Sequence, residues 1–177
     1  MAATVKIRRL TGQNSSITAT DVTSGSVHAG TEDTNTSPCK IPVPTSGSNY
    51  SFWVTTQLQA ACAPDNSLTN VKFYTDAGTL GTGITAIVIP ASGYASALGA
   101  AGSSGSLLDA TNHSGAACAA TSNLFLYTSS CKLTLSGSLG ATTGSFANRV
   151  VYQLKVDTTA SAGNTNGRTV SFEWDEA

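Results

Sequence analysis

Alternation of apolar and polar side chains at every second position is the feature that most constrains the fold of this chain. Successive side chains of a β-strand point to opposite faces, so a period of two predicts strands that bury one face. In the clearest example, residues 49–60, one face carries Tyr50, Phe52, Val54, Thr56, Leu58 and Ala60, and the other carries Trp53, Thr55, Gln57 and Gln59. Further strands are predicted at residues 4–10, 16–27, 68–75, 123–128, 131–139, 149–156 and 168–175. The Thr-rich composition of residues 16–27 indicates one or two strands exposed to solvent. Residues 84–89 are apolar almost without interruption, as in a strand buried on both faces.

The low charge of the chain excludes several classes of fold and function. Charged residues make up 11% of the 177 residues, apolar residues make up 40%, and the net charge is −1. A helical bundle would need more Glu, Lys, Arg and Leu, and a disordered chain would carry fewer apolar residues. No apolar run approaches the length of about 18 residues that a membrane span requires. The balance of nine basic and ten acidic residues argues against a face that binds nucleic acid.

These features predict an all-β protein with a single domain over residues 1–177. We expect an antiparallel β-sandwich of immunoglobulin-like or jelly-roll type with about eight to ten strands. Residues 90–122 are rich in Ala, Gly and Ser and predict a long loop insertion, with one helical turn around residues 94–101. Asn166 and Gly167 form a strong signal for a hairpin turn before the last strand. The predicted core comprises Phe52, Val54, Leu58, Phe73, Ile87, Leu126, Leu133, Tyr152, Leu154, Phe172 and Trp174.

Side chains that carry chemistry are few and match no catalytic or metal-binding pattern. His28 and His113 lie in polar stretches typical of surface loops, and no G-x-S-x-G motif accompanies them. Asp109, His113 and Cys118 share one segment, but their spacing fits no standard zinc site. Residues 78–83 are rich in glycine but lack the Lys and the helix of a phosphate-binding loop. We therefore expect no catalytic centre, no metal and no cofactor.

The cysteines leave the redox state of the chain open. Cys39, Cys62, Cys118 and Cys131 form no C-x-x-C pair, which disfavours a zinc ribbon or a thioredoxin-type site. Four cysteines allow three complete pairings. Both disulfides and buried free thiols remain compatible with the sequence.

Two sets of side chains are candidates for binding. Elements that would contact a partner are the N-terminal segment and the loop insertion, represented by Lys6, Arg8, Arg9, Tyr94, Leu107 and Leu108. The basic N-terminal residues are complementary in charge to the acidic C-terminal end at Glu173, Asp175 and Glu176, so the termini could also pair between subunits. Trp53 and Tyr74 are alternative candidates for stacking on sugar rings, although core packing is the favoured interpretation of Trp53.

Three stretches of the chain resemble small virion structural proteins of tailed bacteriophages. They are Ser48-Asn49-Tyr50-Ser51-Phe52-Trp53, residues 67–76 with the sequence SLTNVKFYTD, and the C-terminal part from Tyr152-Gln153-Leu154-Lys155-Val156 to Phe172-Glu173-Trp174. The last stretch is similar to the final hairpin of many bacterial and phage immunoglobulin-like sandwiches. The resemblance covers about half of the chain and leaves the Ala/Gly/Ser insertion unmatched.

The resemblance implies a non-enzymatic protein, most specifically a capsid decoration protein that binds and stabilises the capsid lattice. Its partners would be the major capsid protein or other virion subunits, together with its own copies in a homo-trimer or another homo-oligomer. Its location would be the virion, assembled in the host cytoplasm, and the N-terminus agrees because it lacks the apolar run of a secretory signal. The alternative is a tail-associated or surface module that binds glycans. In the decoration hypothesis, residues 90–122 are an arm that becomes ordered only against a partner.

Overall fold

The computed structural model describes residues 3–34, 40–96, 99–116, 122–163 and 165–177. Helical structure among these residues is confined to one 3-10 turn at Leu124–Leu126. The strands are β1 (Val5–Gln13), β2 (Ser16–Asp21), β3 (Ser48–Tyr50), β4 (Val54–Ala60), β5 (Leu68–Thr75), β6 (Ile84–Ala91), β7 (Ser122–Asn123), β8 (Leu133–Thr134), β9 (Gly144–Asp157) and β10 (Val170–Glu176).

The strands form two antiparallel sheets that pack as a β-sandwich, which confirms the predicted fold class. The larger sheet has the order β2-β1-β4-β9-β6-β7, with β3 paired to the end of β9. The smaller sheet has the order β10-β5-β8. The prediction that a hairpin turn at Asn166 and Gly167 joins the last two strands is wrong. The strands β9 and β10 belong to different sheets, so the connector between them crosses from one layer to the other.

The core between the two sheets, called the inner core here, contains the side chains that the period of two places on one face of each strand. Its buried members are Val54, Leu58, Val71, Phe73, Leu80, Ala86, Val88, Leu124, Leu135, Phe146, Val150 and Tyr152. From the smaller sheet, Phe172 packs edge-on against Phe73 with 5.3 Å between ring centroids. The predicted core residues Leu133, Leu154, Phe172 and Trp174 are partly buried against this cluster, and Ile87 packs on the opposite face of its sheet.

Leu126 is the predicted core residue for which the prediction is wrong. Its side chain is 63% exposed, whereas Leu124 is buried in the inner core. Strand alternation would have placed both leucines on one face. The chain instead forms the 3-10 turn Leu124–Leu126, in which residues two apart point in different directions because three residues complete a turn.

The central strands of the larger sheet are buried on both faces. In β6, Ala86 and Val88 belong to the inner core, while Ile89 and Ala91 belong to a second cluster on the opposite face. The prediction of a strand buried on both sides is therefore confirmed. We call this second cluster the outer core, and its buried members are Trp53, Ile89, Ala91, Ala95, Leu108 and Val151.

Candidate functional site

A segment without regular strands or helices covers the outer face of the larger sheet. We call it the strap: residues 92–116, of which 97 and 98 lie outside the described residues. Two of its side chains, Ala95 and Leu108, enter the outer core, and Leu108 is 0% exposed. The predicted helical turn is not seen in the described residues of 94–101. The prediction that this region is an arm awaiting a partner differs from the structure, in which it packs on its own sheet.

Gln153, whose side chain is fully buried, joins the strap to the sheet through hydrogen bonds. Its side-chain amide donates to the carbonyl oxygens of Ser51 and Ser106, both at 2.7 Å. Its side-chain oxygen accepts from the backbone N–H of Leu108 at 2.8 Å. The indole N–H of Trp53 also donates to the carbonyl oxygen of Ser106, at 2.9 Å. Buried polar groups that lack partners destabilise the folded state, so these bonds hold the strap in one position.

Close backbone contact explains why the strap is rich in small residues. A Cβ atom added to Gly105 would lie 2.3 Å from the carbonyl oxygen of Ser51, in the chain that leads into β4. A Cβ atom at Gly115 would lie 2.7 Å from the backbone nitrogen of Gly93. Only glycine fits at these two positions. The Ala/Gly/Ser-rich composition that suggested a free arm is therefore equally suited to a segment that packs closely against a sheet.

His113 is a buried part of this layer, so its prediction as a surface-loop histidine is wrong. It is 1% exposed, and its ring lies 5.0 Å from the ring of Trp53, measured between centroids. Its Nδ1 accepts from the N–H of Gly115, while its Nε2 is buried and has no hydrogen-bond partner among the described residues. Burial lowers the pKa of His113, and the nearby Arg149 guanidinium lowers it further. A neutral imidazole therefore belongs to the folded state, and its partners indicate a packing role.

The basic residues that were predicted to form an interface instead form ion pairs and hydrogen bonds with other residues of the same chain. Lys6 forms an ion pair with Asp21 at 2.8 Å, and the Arg8 Nε donates to Gln59 at 2.6 Å. Arg9 is 1% exposed, donates to the carbonyl oxygen of His28 and lies 3.9 Å from the Asp33 carboxylate. Arg9 therefore supports the loop that carries these two groups and is not available at the surface in this conformation.

Tyr94, Leu107 and Leu108 occupy three different environments. Tyr94 is half-buried and donates from its hydroxyl to the carbonyl oxygen of Gly12 at 2.7 Å. Burial, followed by the Asp33 carboxylate, raises the pKa of Tyr94 to about 12. Leu107 is 40% exposed, while its neighbour Leu108 is buried. Of the three, Leu107 is the side chain that presents an apolar surface to solvent.

The acidic C-terminal residues also have partners within the chain. Glu173 pairs with Lys132 at 2.5 Å. Asp175 accepts from the side-chain amide of Asn70 at 2.8 Å. Glu176 accepts from the backbone N–H groups of Ala3 and Asp65, at 3.3 and 2.7 Å. The termini are thus connected intramolecularly by hydrogen bonds, which removes the charge argument for pairing them between subunits.

The two aromatic residues considered for sugar stacking differ in access. Trp53 is 7% exposed and its ring is covered by His113, so no open ring face remains for a sugar. Tyr74 is half-buried and lines a shallow open groove with residues that include Asp76, Thr128 and Thr169. The Lys132 ammonium lies 5.2 Å from the centroid of the Tyr74 ring. The groove therefore combines an aromatic ring with polar groups.

The described residues hold no group of three or more His, Cys, Asp or Glu side chains that could bind a metal ion. Cys62 and Cys131 are exposed free thiols. The other two cysteines, Cys39 and Cys118, lie outside the described residues. No helix in the described ranges is long and apolar enough to span a membrane.

Sequence reasoning predicted an exposed strand at β2 but not its position at the edge of the sheet. All six residues of Ser16–Asp21 are exposed, and β2 pairs only with β1 in the described topology. Its Thr-rich composition indicated solvent exposure. Its edge position depends on the order of strands, which local periodicity does not encode.

No family model, curated protein or solved structure matches this chain.

Proposed function

We propose that the chain is a non-enzymatic virion structural protein, and specifically a capsid decoration protein of a tailed bacteriophage. It binds and stabilises the capsid lattice through contacts with the major capsid protein or other virion subunits. The observation that supports this most directly is the strap, a third layer whose outer side carries small polar side chains and the exposed Leu107. A surface that is already ordered docks on a repeating lattice with little further loss of conformational entropy.

The burial of several polar side chains supports a binding function in preference to a catalytic one. Arg9, His113 and Gln153 are all buried, and the geometry around each of them serves packing or a hydrogen bond to the backbone. Residues that act on a substrate need access to it. The exposed surface instead offers sheet and strap faces of the kind that contact another macromolecule.

Mass spectrometry of purified particles tests the proposal. Virions of a phage whose genome encodes this chain should contain its peptides. Their copy number should match the number of equivalent sites on the capsid lattice. Mild dissociation should release the chain from the particles without loss of the capsid shell. Absence of the chain from purified virions would refute the proposal.

A pair of exposed leucines provides matched variants for the docking face. Leu107→Glu places a charge on the strap, while Leu126→Glu places the same charge on the 3-10 turn. Both side chains are exposed, so neither change should unfold the protein. Leu107→Glu should abolish co-sedimentation with capsids that lack the chain, whereas Leu126→Glu should sediment as the unmodified protein does. Equal binding by both variants would remove the strap from the proposed interface.

Glycan binding is the second candidate, and the groove beside Tyr74 favours it. Aromatic rings stack on sugars, and neighbouring carboxylate and hydroxyl groups accept or donate hydrogen bonds. This candidate predicts a positive signal on a glycan array that Tyr74→Ala removes. Trp53→Ala should leave specific recognition intact, because that ring is covered.

A further inference from the structure

The strand β2 lies at the edge of the larger sheet, and among the described residues β1 is the one strand that pairs with it. Edge strands of natural proteins are commonly short, charged or interrupted by bulges, which prevents them from pairing with other chains. In the described structure β7 and β8 have two residues each, and β10 carries acidic residues with a register shift between Glu173 and Asp175. By contrast, β2 has six residues, no proline and one charge, at its end. Its sequence Ser-Ile-Thr-Ala-Thr-Asp is rich in β-branched residues, which favour extended pairing.

The register of β1 with β2 shows which backbone groups face outward. Val22 donates to the carbonyl oxygen of Ile7 directly beyond the ladder, and the pairing continues to Gln13 opposite Ser16. In an antiparallel pair, residues alternate between those that bond to the partner strand and those that point away. Thr18 and Thr20 therefore bond to β1. The N–H and C=O groups of Ile17 and Ala19 point to the open edge.

The described residues of the strap hold this hairpin in place and leave its edge uncovered. The Tyr94 hydroxyl donates to the Gly12 carbonyl oxygen, and Ser96 donates from its backbone N–H to the Asn14 side chain at 2.9 Å. Ile17 remains 46% exposed. The edge is therefore fixed before a partner arrives, which lowers the entropy lost on pairing.

We propose that β2 pairs antiparallel with β2 of a second copy of this chain and joins the two larger sheets into one. If a two-fold axis passes between the two copies of Thr18, Ile17 of each copy lies opposite Ala19 of the other. The backbone N–H and C=O groups of these two residue pairs then form about four hydrogen bonds between the copies. No charged side chains face each other in this register. The two Asp21 carboxylates lie about 20 Å apart, six residue steps along the pair. The net charge of −1 opposes this association only weakly.

This interface concerns self-association and stands whether or not the chain binds a capsid. Sedimentation equilibrium of the purified protein should show a reversible dimer. Hydrogen exchange measured by NMR should show the amides of Ile17 and Ala19 becoming protected as the dimer forms. The amides of Thr18 and Thr20 should be protected at every concentration, because they bond to β1.

Substitutions at Ala19 test how much its outward-pointing backbone N–H contributes to dimerisation. Ala19→Pro removes that donor and leaves the β1 hydrogen bonds in place, so it should be monomeric. Ala19→Thr keeps the donor and is the matched control, which should dimerise. If Ala19→Pro does not fold, Ile17→Lys serves instead. It places two like-charged side chains on the same face of the pair, at diagonal positions whose Cα atoms lie about 7–8 Å apart across the axis. A monomeric unmodified protein overturns the proposal, as does an oligomer in which the Ile17 and Ala19 amides stay unprotected.

Discussion

Truncation of Leu108 tests whether the strap is part of the folded protein in solution. Leu108 and Leu107 are neighbours of the same residue type, yet Leu108 is 0% exposed and Leu107 is 40% exposed. If the strap packs as described, Leu108→Ala leaves a cavity in the outer core against Trp53, Ile89 and Val151. Leu107→Ala removes a side chain that already contacts water.

The expected cost follows from burial. Leu→Ala changes in cores destabilise proteins by about 2–5 kcal/mol, which includes lost apolar transfer and the cavity that remains. The strap is a single layer with solvent on its outer side, so it can partly collapse onto the cavity. We therefore expect about 2–3 kcal/mol for Leu108→Ala, in the lower part of that range. Leu107→Ala should stay within about 0.5 kcal/mol of the unmodified protein.

Equilibrium unfolding in urea, followed by tryptophan fluorescence, measures both variants. Trp53 lies in the outer core and reports directly on the strap. In thermal unfolding the same destabilisation corresponds to a fall in Tm of about 4–12 °C for a chain of this size. If Leu108→Ala costs no more than Leu107→Ala, the strap is not packed on the sheet and the reasoning fails.

Three further predictions address individual groups. The pKa of His113 is lowered from 6.5 by burial, so the unfolded chain binds the proton more tightly, and the free energy of unfolding should fall as the pH drops below about 6.5. His113→Gln should flatten that fall in urea midpoint, and an unchanged pH profile would contradict it. Gly105→Ala should lower the Tm because the new Cβ atom would clash with the backbone oxygen of Ser51. Gly140→Ala is the control and should leave the Tm unchanged, because open space surrounds Gly140. Equal Tm values for the two variants would refute the close contact at Gly105. The Asp21 carboxyl should titrate below its ordinary pKa in NMR, mainly because of Lys6, and Lys6→Gln should raise that pKa.

The sequence alone determined the class of the fold and the positions of its longer strands. It did not foresee the 3-10 turn at Leu124–Leu126. The bounds of β5 agree with the predicted residues 68–75, and the two-sided burial of β6 follows from its continuous apolar run. Both are local properties, because a strand's period of two is set by its own backbone. The exposure of β2 was also foreseen from its Thr-rich composition.

Tertiary structure decided where the loops went and which strands became neighbours. Residues 90–122 have a composition that suits either a free arm or a close-packed layer, and only the contacts of Gly105 and Leu108 with the sheet distinguish the two. His113 is buried because a segment distant in sequence supplies the ring of Trp53. Asn166 and Gly167 favour a turn, yet β10 pairs with β5, because pairing depends on which faces must be covered and not on the turn alone. Such choices are made by contacts between residues far apart in the chain, and these leave no period in the sequence.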